Sequence, residues 1–344
     1  MMNGCDSPFI TSDLPGTGGA FKITPEDFEV EELPAYLPSG VGEHVYLWVE
    51  KRGRNTAEVA RALAATLGVG ERQVGWAGLK DRQALARQWF SVLTPRDPPR
   101  CIAGDGFRVL AASRHGNKLR PGHLRGNRFA ILLRGADDAG LARAVLDALT
   151  VLGAPNWFGQ QRFGRDGDNA ALGLALLRQG EHPALSRARR DRFLRKLALS
   201  ALQAELFNRV LALRLSEGAF GRIEEGDLLQ LGEDGGGPVF ACDPEVDRPR
   251  FSTFAVSPTG PMFGPKMRRP DGDPARRETQ VLSAAGLDVA AFDLGGRETE
   301  GTRRSLRVRP REPVIEAAAG GLRVCFSLPP GAYATSVLRE ITKG

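Results

Sequence analysis

The sequence predicts a two-domain α/β protein. At 344 residues the chain is long enough for about two domains of roughly 150 residues each. Strand-like and helix-like patterns alternate as far as Gly153, and strand-like patterns return near Arg307. Between these two positions the chain is helical and then rich in glycine and proline. Both ends therefore indicate sheet, and the middle has the character of an insertion.

The first third of the chain carries the clearest element signals. Residues 21–34 alternate apolar and polar side chains around a Pro-Glu-Asp turn, which predicts two short strand pieces, and residues 44–51 predict another strand. A helix follows. Asn55 can cap it, Glu58 completes a capping box, and Gly68 provides the left-handed stop.

The other elements follow from the same patterns. In the first half we predict a strand over 73–78, a turn over 79–82, strands over 87–94 and 128–135, and a helix over 137–153. Beyond a polar loop at 155–169 we predict helices over 170–179, 191–214, 276–287 and 333–341, strands over 304–310 and 322–330, and loose turns over 232–274.

Composition excludes several classes of protein. The chain is 42% hydrophobic and 26% charged, as in ordinary globular proteins, and no run of about 18 apolar residues could span a membrane. The N-terminus lacks the apolar core of a signal peptide. The four cysteines are scattered, so we expect free thiols and a cytoplasmic location. The four histidines form no HExxH motif, so we expect no metal.

The charge distribution indicates a polyanionic partner. The net charge is +6, with 40 arginines against 7 lysines, and codon bias in a GC-rich genome is the favoured explanation of the arginine excess. The region from Gly106 to Ala136, however, contains seven basic residues and no acid. A solvated surface usually mixes both signs, so nucleic acid is the favoured partner. The seven are Arg108, Arg114, Lys118, Arg120, Arg125, Arg128 and Arg134.

No cofactor motif is present. Residues 16–20, GTGGA, open a strand rather than a helix, which is the wrong context for a dinucleotide fingerprint, and there is no phosphate loop or nucleophile elbow. The segment GLKD (78–81) places Asp81 at a strand end, where it is either a solvated turn residue or a functional carboxylate. From spacing alone, Phe28, Phe129 and Tyr333 fit core packing and Asn127 fits a turn.

Eight segments, in order along the chain, carry a resemblance to a known family. The segments are TPEDFEVEE (24–32), GEHVYLWVEKRGRNT (42–56), GLKDRQALARQWFSV (78–92), HGNKLRPGHLRGNRFAI (115–131), APNWFGQQRFG (154–164), SPTGPMFG (257–264), EGTRR (300–304) and LPPGAYATSVLREI (328–341). Together they resemble the TruD family of tRNA pseudouridine synthases. The match is densest over 21–165 and 300–341 and thin between about 170 and 255.

The resemblance implies a discontinuous catalytic domain, residues 1–152 plus 308–344, with a mixed, largely antiparallel sheet flanked by helices. A second α/β domain is inserted at 153–307, and tRNA is expected in the cleft between the two. The implied reaction converts uridine to pseudouridine in tRNA, at position 13 of the D arm, without a cofactor. A monomer is the default expectation.

The resemblance also implies roles for individual residues. Asp81 matches the nucleophile, which either bonds covalently to C1′ or first takes the 2′ proton. A buried carboxylate needs a cation to stay ionised, and Lys22 is the candidate, with Lys80 as the alternative. The expected substrate-binding residues are Phe28, Asn127, Phe129 and Tyr333, the last standing where the family has phenylalanine. The expected phosphate contacts are Lys118, Arg120, Arg125 and Arg128.

Two alternatives belong to other classes. One is a non-catalytic RNA-binding protein with the same cleft, and the intact GLKD and GNRF segments argue against it. The other is an RNA methyltransferase, for which the sequence shows no methyl-donor loop.

Overall fold

The computed structural model describes residues 8–97, 101–164, 167–178, 180–232, 236–294 and 299–344. The chain forms two compact units. The first, called the sheet unit below, comprises Gly16–Ala144 and Pro310–Gly331. The second, called the helical unit, comprises Met1–Pro15, Val145–Arg309 and Ala332–Gly344. Both ends of the chain thus group with the middle, and the predicted domain division at 152/153 and 307/308 stays a prediction.

The described residues contain fifteen strands and eight α-helices. The strands are β1 (Phe28–Pro34), β2 (His44–Lys51), β3 (Val74–Trp76), β4 (Leu85–Leu93), β5 (Ala103–Gly104), β6 (Phe107–His115), β7 (Leu124–Arg134), β8 (Ala154–Pro155), β9 (Leu228–Leu231), β10 (Val239–Ala241), β11 (Val256–Met262), β12 (Thr302–Ser305), β13 (Arg307–Val308), β14 (Arg311–Ala318) and β15 (Gly321–Leu328). The helices are α1 (Thr56–Leu67), α2 (Ala139–Leu152), α3 (Asp168–Arg178), α4 (Leu185–Arg190), α5 (Arg192–Ser216), α6 (Pro244–Ser252), α7 (Gly272–Ala284) and α8 (Ala334–Thr342).

The sheet unit is built on one large sheet. Its strand order within the described residues is β14-β15-β7-β1-β4-β2-β6-β5, and β3 also pairs with β4. Strands β1 and β4 run parallel, while the other pairs in this sheet are antiparallel. The predicted mixed, largely antiparallel sheet is therefore confirmed.

Helix α1 covers part of this sheet and begins and ends as predicted. The Asn55 backbone N–H donates to the Glu58 carboxylate at 2.9 Å, which closes the capping box, and Gly68 ends the helix with φ +65°. Its apolar side chains, Val59 and Leu63 among them, pack in one core cluster with strands β2 and β4. This packing holds α1 against the sheet.

The helical unit is organised around the long helix α5. Asp191 caps the helix by accepting from the N–H groups of Phe193 and Leu194. Leu206 of α5 lies in a core cluster with Val281 of α7. The unit also contains a four-stranded sheet, β10-β9-β11-β12, and the short pair β13-β8.

One predicted loose region is wrong. The stretch 232–274 contains helix α6 and strand β11, and β11 is buried along almost all of its length between β9 and β12. Its sequence, VSPTGPM, contains residues that normally interrupt strands. Burial between two neighbours outweighs that weak local preference. Strands β6 and β14 also lie outside the predicted elements. Among the described helices, none has both the length and the apolar composition that crossing a membrane requires.

Candidate active site

The chain turns between β3 and β4 through residues 77–84, which carry Asp81, and this turn is fixed by side chains from α1 and β4. The Gly78 carbonyl accepts from the Gln88 amide at 3.1 Å, and the Lys80 backbone N–H donates to the Thr56 hydroxyl at 3.0 Å. That hydroxyl in turn donates to Gln88 at 2.9 Å. The main chain beside Asp81 is therefore held by buried bonds rather than left to move as a surface turn.

The Asp81 carboxylate is paired with Lys22. Lys22 Nζ lies 2.6 Å from Asp81 Oδ2, and the Gln83 backbone N–H donates to Oδ1 at 3.0 Å. The two side chains are 20% and 23% exposed, so the pair is partly shielded yet open to a substrate. Lys22 has a left-handed backbone, φ +62°, and its ammonium also lies 4.4 Å from the centre of the Phe28 ring.

The surroundings of Asp81 keep it ionised. Burial is the largest influence and raises the pKa of the carboxyl, whereas the hydrogen bond from Lys22 and the Gln83 N–H lower it, together with the charges of Lys22 and Lys51. The net result is a pKa below the ordinary value of 3.8. At neutral pH the group is a carboxylate with one lysine in contact.

A second lysine holds the Asp81 main chain. Lys51, at the end of β2, is 1% exposed, and its Nζ donates to the carbonyl of Asp81 at 2.7 Å and to that of Arg54 at 2.8 Å. Burial lowers the pKa of Lys51 to about 8. Both carbonyls are thereby satisfied by one buried ammonium.

The third lysine, Lys80, faces the interior. Its Nζ lies 2.8 Å from Oε2 of Glu32, and Glu32 Oε1 accepts from the Trp89 backbone N–H at 3.3 Å. The ammonium of Lys80 is thus bonded to Glu32 on β1, and of the two cations predicted for Asp81 only Lys22 contacts the carboxylate within the described residues.

Asn127 and Phe129 lie on one face of β7, beside β1. Asn127 is directly opposite Glu32, and its Oδ1 is buried without a hydrogen-bond partner in the part of the chain that the structure describes. A buried acceptor without a partner is costly, so this oxygen calls for an explanation. The Phe129 ring packs edge-on to Phe28 with centroids 6.1 Å apart. The two residues are 6% and 4% exposed, so both rings are buried, as the core-packing interpretation of the sequence expects.

Tyr333 belongs to the helical unit, where it precedes helix α8. Its ring lies 6.2 Å from that of Phe158, and Gly159 sits so close that a Cβ there would be 3.2 Å from the tyrosine ring. The pKa of nearby Arg304 is lowered to about 10 by burial, an effect that Tyr333 opposes. The environment of Tyr333 is thus aromatic and cationic.

The predicted phosphate contacts are mostly exposed. Arg120, Arg125 and Arg128 are exposed and Lys118 is half-buried. Arg128 lies 3.4 Å from Glu312, whereas the other three form no ion pair among the described residues. Acids from elsewhere neutralise further members of the acid-free stretch. These pairs are Arg108–Glu50, Arg114–Asp97 and Arg134–Asp27. The stretch is therefore less positive in the fold than it is in the sequence.

Sequence reasoning missed Lys51 and Glu32. A usable signal was the scarcity of lysine, because the chain has only 7 lysines beside 40 arginines. Two of the seven, Lys22 and Lys51, bond to Asp81, and a third, Lys80, precedes it in the chain.

Comparison with known proteins gives a consistent result. The family model described as tRNA pseudouridine synthase D (TruD) matches residues 6–190 and 183–341, nearly the whole chain. A relative from Anaeromyxobacter dehalogenans strain 2CP-1, named tRNA pseudouridine synthase D, is 52% identical over 341 residues, which cover 98% of this chain and 97% of the relative. A relative of the same name from Thermus thermophilus is 43% identical, with coverage of 98% and 92%.

The fold is also that of a solved structure. A crystal structure from Methanosarcina mazei that carries the same family name superimposes with a TM-score of 0.76 and covers 99% of this chain and 97% of its own. At 22% identity this likeness supports the fold. The sequence relatives, at 43% and 52% identity, support the family.

Proposed function

The chain belongs to the TruD family of tRNA pseudouridine synthases, and we propose that it isomerises a uridine of tRNA to pseudouridine with Asp81 as the nucleophile. The observation that carries this proposal is the ionised Asp81 carboxylate, which contacts Lys22 at 2.6 Å on a turn fixed by α1 and β4. A partly exposed carboxylate on a rigid support suits an attack on a sugar carbon.

The reaction breaks one bond to C1′ and makes another. The Asp81 carboxylate attacks C1′ of the target uridine, and the electron pair of the C1′–N1 bond leaves with uracil. The freed base turns, C5 bonds to C1′ as the carboxylate departs, and the proton on C5 is lost while N1 gains one. If the carboxylate first removes the 2′ proton instead, the same charged form is needed, so both routes require a low pKa at Asp81.

The base would be held by the face of β7 that carries Asn127 and Phe129. In the bound state the Oδ1 of Asn127, which is buried and has no partner among the described residues, would accept from the N3–H of uracil, which is a donor. Phe28 and Phe129, which are buried here, would line that face, and Tyr333 is proposed as a substrate-binding residue on the family resemblance alone. A flipped-out base loses a few kcal/mol of stacking, and each aromatic contact returns about 1–3 kcal/mol.

The substrate would be tRNA, with uridine 13 of the D arm as the target. Lys118, Arg120, Arg125 and Arg128 would contact phosphates without reading sequence. A monomer that acts in the cytoplasm without a cofactor is the form in which we expect the enzyme to work.

One assay tests the proposal. Because C5 loses its proton, tRNA labelled with tritium at uracil C5 should release the label in the presence of the wild-type protein. Asp81→Asn should bind the same tRNA and release none. Release by both proteins would contradict the nucleophile, and tight binding without release by either would favour the RNA-binding alternative.

A further inference from the structure

Two buried ammonium groups lie next to Asp81 but bond to other groups. Lys51 is 1% exposed and Lys80 is 7% exposed. Lys51 bonds to the carbonyl of Asp81, and Lys80 bonds to Glu32, which is itself 1% exposed. Neither group is free to meet a substrate, so neither is catalytic in the direct sense.

Stability alone gives a poor reason for this arrangement. Taking charges out of water is expensive, and well-packed apolar side chains of similar volume are often as stabilising as a buried ion pair. The uncompensated cost of burying the charge is larger at Lys51, because its ammonium bonds to two neutral carbonyls instead of a carboxylate. Burial accordingly lowers its pKa to about 8.

The choice of lysine is informative in a chain so rich in arginine. A guanidinium has five N–H donors in a rigid plane, whereas an ammonium is compact and has three rotatable donors. At Lys51 two carbonyls are the acceptors, and at Lys80 one carboxylate oxygen is the acceptor. A buried arginine at either place would have donors left without partners.

The bonds converge on the main chain around the nucleophile. Lys80 is held at its N–H by Thr56 and at its ammonium by Glu32. The next residue, Asp81, is held at its carbonyl by Lys51. Three elements, β1, β2 and α1, therefore each supply one side chain that bonds to Lys80 or Asp81. These side chains are called anchors below.

We infer that Lys51 and the Lys80–Glu32 pair are positioning residues that fix the Asp81 carboxylate for attack on C1′. The inference rests on the proposed function, since it assigns these groups a role through Asp81. A displacement of about 1 Å at a reacting group typically lowers the rate about 100-fold. Loosening either anchor should therefore slow the chemical step while tRNA binding is kept.

The decisive variant replaces the whole buried pair. Glu32→Leu combined with Lys80→Met removes both charges together and leaves no unpaired ion, so the fold should survive. Under single turnover with tritium-labelled tRNA we expect the release rate to fall roughly 10- to 100-fold, with the dissociation constant for tRNA unchanged within about threefold. A folded double variant with wild-type rate would overturn the role of the pair.

Lys51 is tested by Lys51→Met and Lys51→Arg. We expect both to slow release by a similar factor with binding preserved, because arginine keeps the charge but not the two-carbonyl geometry. Full activity in Lys51→Arg would overturn the argument from shape. The control is Lys343→Met, since Lys343, like Lys80, bonds a buried glutamate, Glu340, at 3.2 Å but lies in the helical unit, and it should leave the rate unchanged.

If the Lys51 variants fail to fold, the Glu32→Leu, Lys80→Met double variant decides the inference, because it tests the same main chain through the other anchor.

Failure of this inference is distinguishable from failure of the proposed function. If Asp81→Asn is inactive while the paired variant is fully active, the positioning role alone is wrong. If Asp81→Asn keeps its activity, the nucleophile assignment is wrong and these residues have no carboxylate to position.

Discussion

Lys22 Nζ lies 2.6 Å from Asp81 Oδ2, although the two residues are 59 positions apart in the sequence. Both side chains keep about a fifth of their surface exposed, so the pair is neither a solvated surface contact nor a sealed ion pair. Lys22 is the foremost influence that lowers the pKa of Asp81 against the effect of burial. The protonation state of the proposed nucleophile is therefore set by a residue from another segment.

Removing Lys22 should make the reaction sensitive to mild acid. In the wild type the pKa of Asp81 is below 3.8, so the active carboxylate is fully present at neutral pH and is lost only as the pH falls through that low value. In Lys22→Met burial acts unopposed by this cation, and we expect the acid limb of the single-turnover rate to move upward by about 1 to 3 pH units. Coincident acid limbs in variant and wild type would contradict the pairing, and Lys343→Met serves as the control.

Lys51 should make stability rise with pH in the alkaline range. Its pKa is about 8 in the folded protein against an ordinary 10.5, so between these values the unfolded chain binds a proton that the folded chain has released. The free energy of unfolding therefore gains as the pH rises from 8 to 10.5, by about 3 kcal/mol from this group alone. The check is urea unfolding across this range, comparing wild type with Lys51→Met. Parallel pH dependences would contradict the prediction.

The exposed arginines should control the salt dependence of tRNA binding. Arg120 and Arg125 are exposed and form no ion pair among the residues that the structure describes. If each arginine contacts a phosphate, its replacement with glutamine should reduce the magnitude of the slope of the logarithm of the tRNA association constant against the logarithm of the salt concentration by roughly 0.7 to 0.9. Arg61, exposed on α1 outside the basic stretch, is the matched control. Slopes equal to that of Arg61→Gln would exclude these contacts.

Asn127 should show a conflict between stability and activity. Its buried Oδ1 has no hydrogen-bond partner in the described part of the chain, so Asn127→Leu should leave the free energy of unfolding unchanged or raise it by about 1 kcal/mol. The same change removes the acceptor proposed for uracil N3–H and should raise KM or lower kcat about tenfold. Denaturant unfolding and steady-state kinetics give the two quantities. A destabilised variant with normal kinetics would instead indicate a purely structural amide.

The features that could be predicted from the sequence are those determined by contacts between residues close together in the chain. Asn55, Glu58 and Gly68 specify both ends of α1 because their contacts span three or four residues. Asp81 was placed correctly between two strands for the same reason, since alternation along β3 and β4 is visible in the sequence.

The rest depended on contacts between distant segments. Nothing near Lys51 in the sequence indicates that its ammonium bonds to a carbonyl 30 positions away, and Glu32 meets Lys80 only because β1 and β4 are neighbours in the sheet. The interruption of β11 by proline and glycine predicted a loop, but burial on both sides determined a strand. Lys22 was a candidate because it is a lone lysine beside a matched segment, and the structure, not the sequence, distinguishes it from Lys80.

The arrangement of the sheet also governs how the protein folds. In the large sheet, Glu29 of β1 pairs with Leu85 of β4, and Leu133 of β7 pairs with Leu322 of β15. Both pairings join residues that are far apart in the sequence and therefore close long loops. Such contacts form slowly because the entropy of loop closure must be overcome before they contribute. The groups around Asp81 come from four separated segments, which carry Lys22, Glu32, Lys51 with Thr56, and residues 78–88. Catalysis should therefore return during refolding no earlier than the sheet has formed. During refolding, the time at which tritium release is regained therefore sets an upper limit on the time at which β1 and β4 pair.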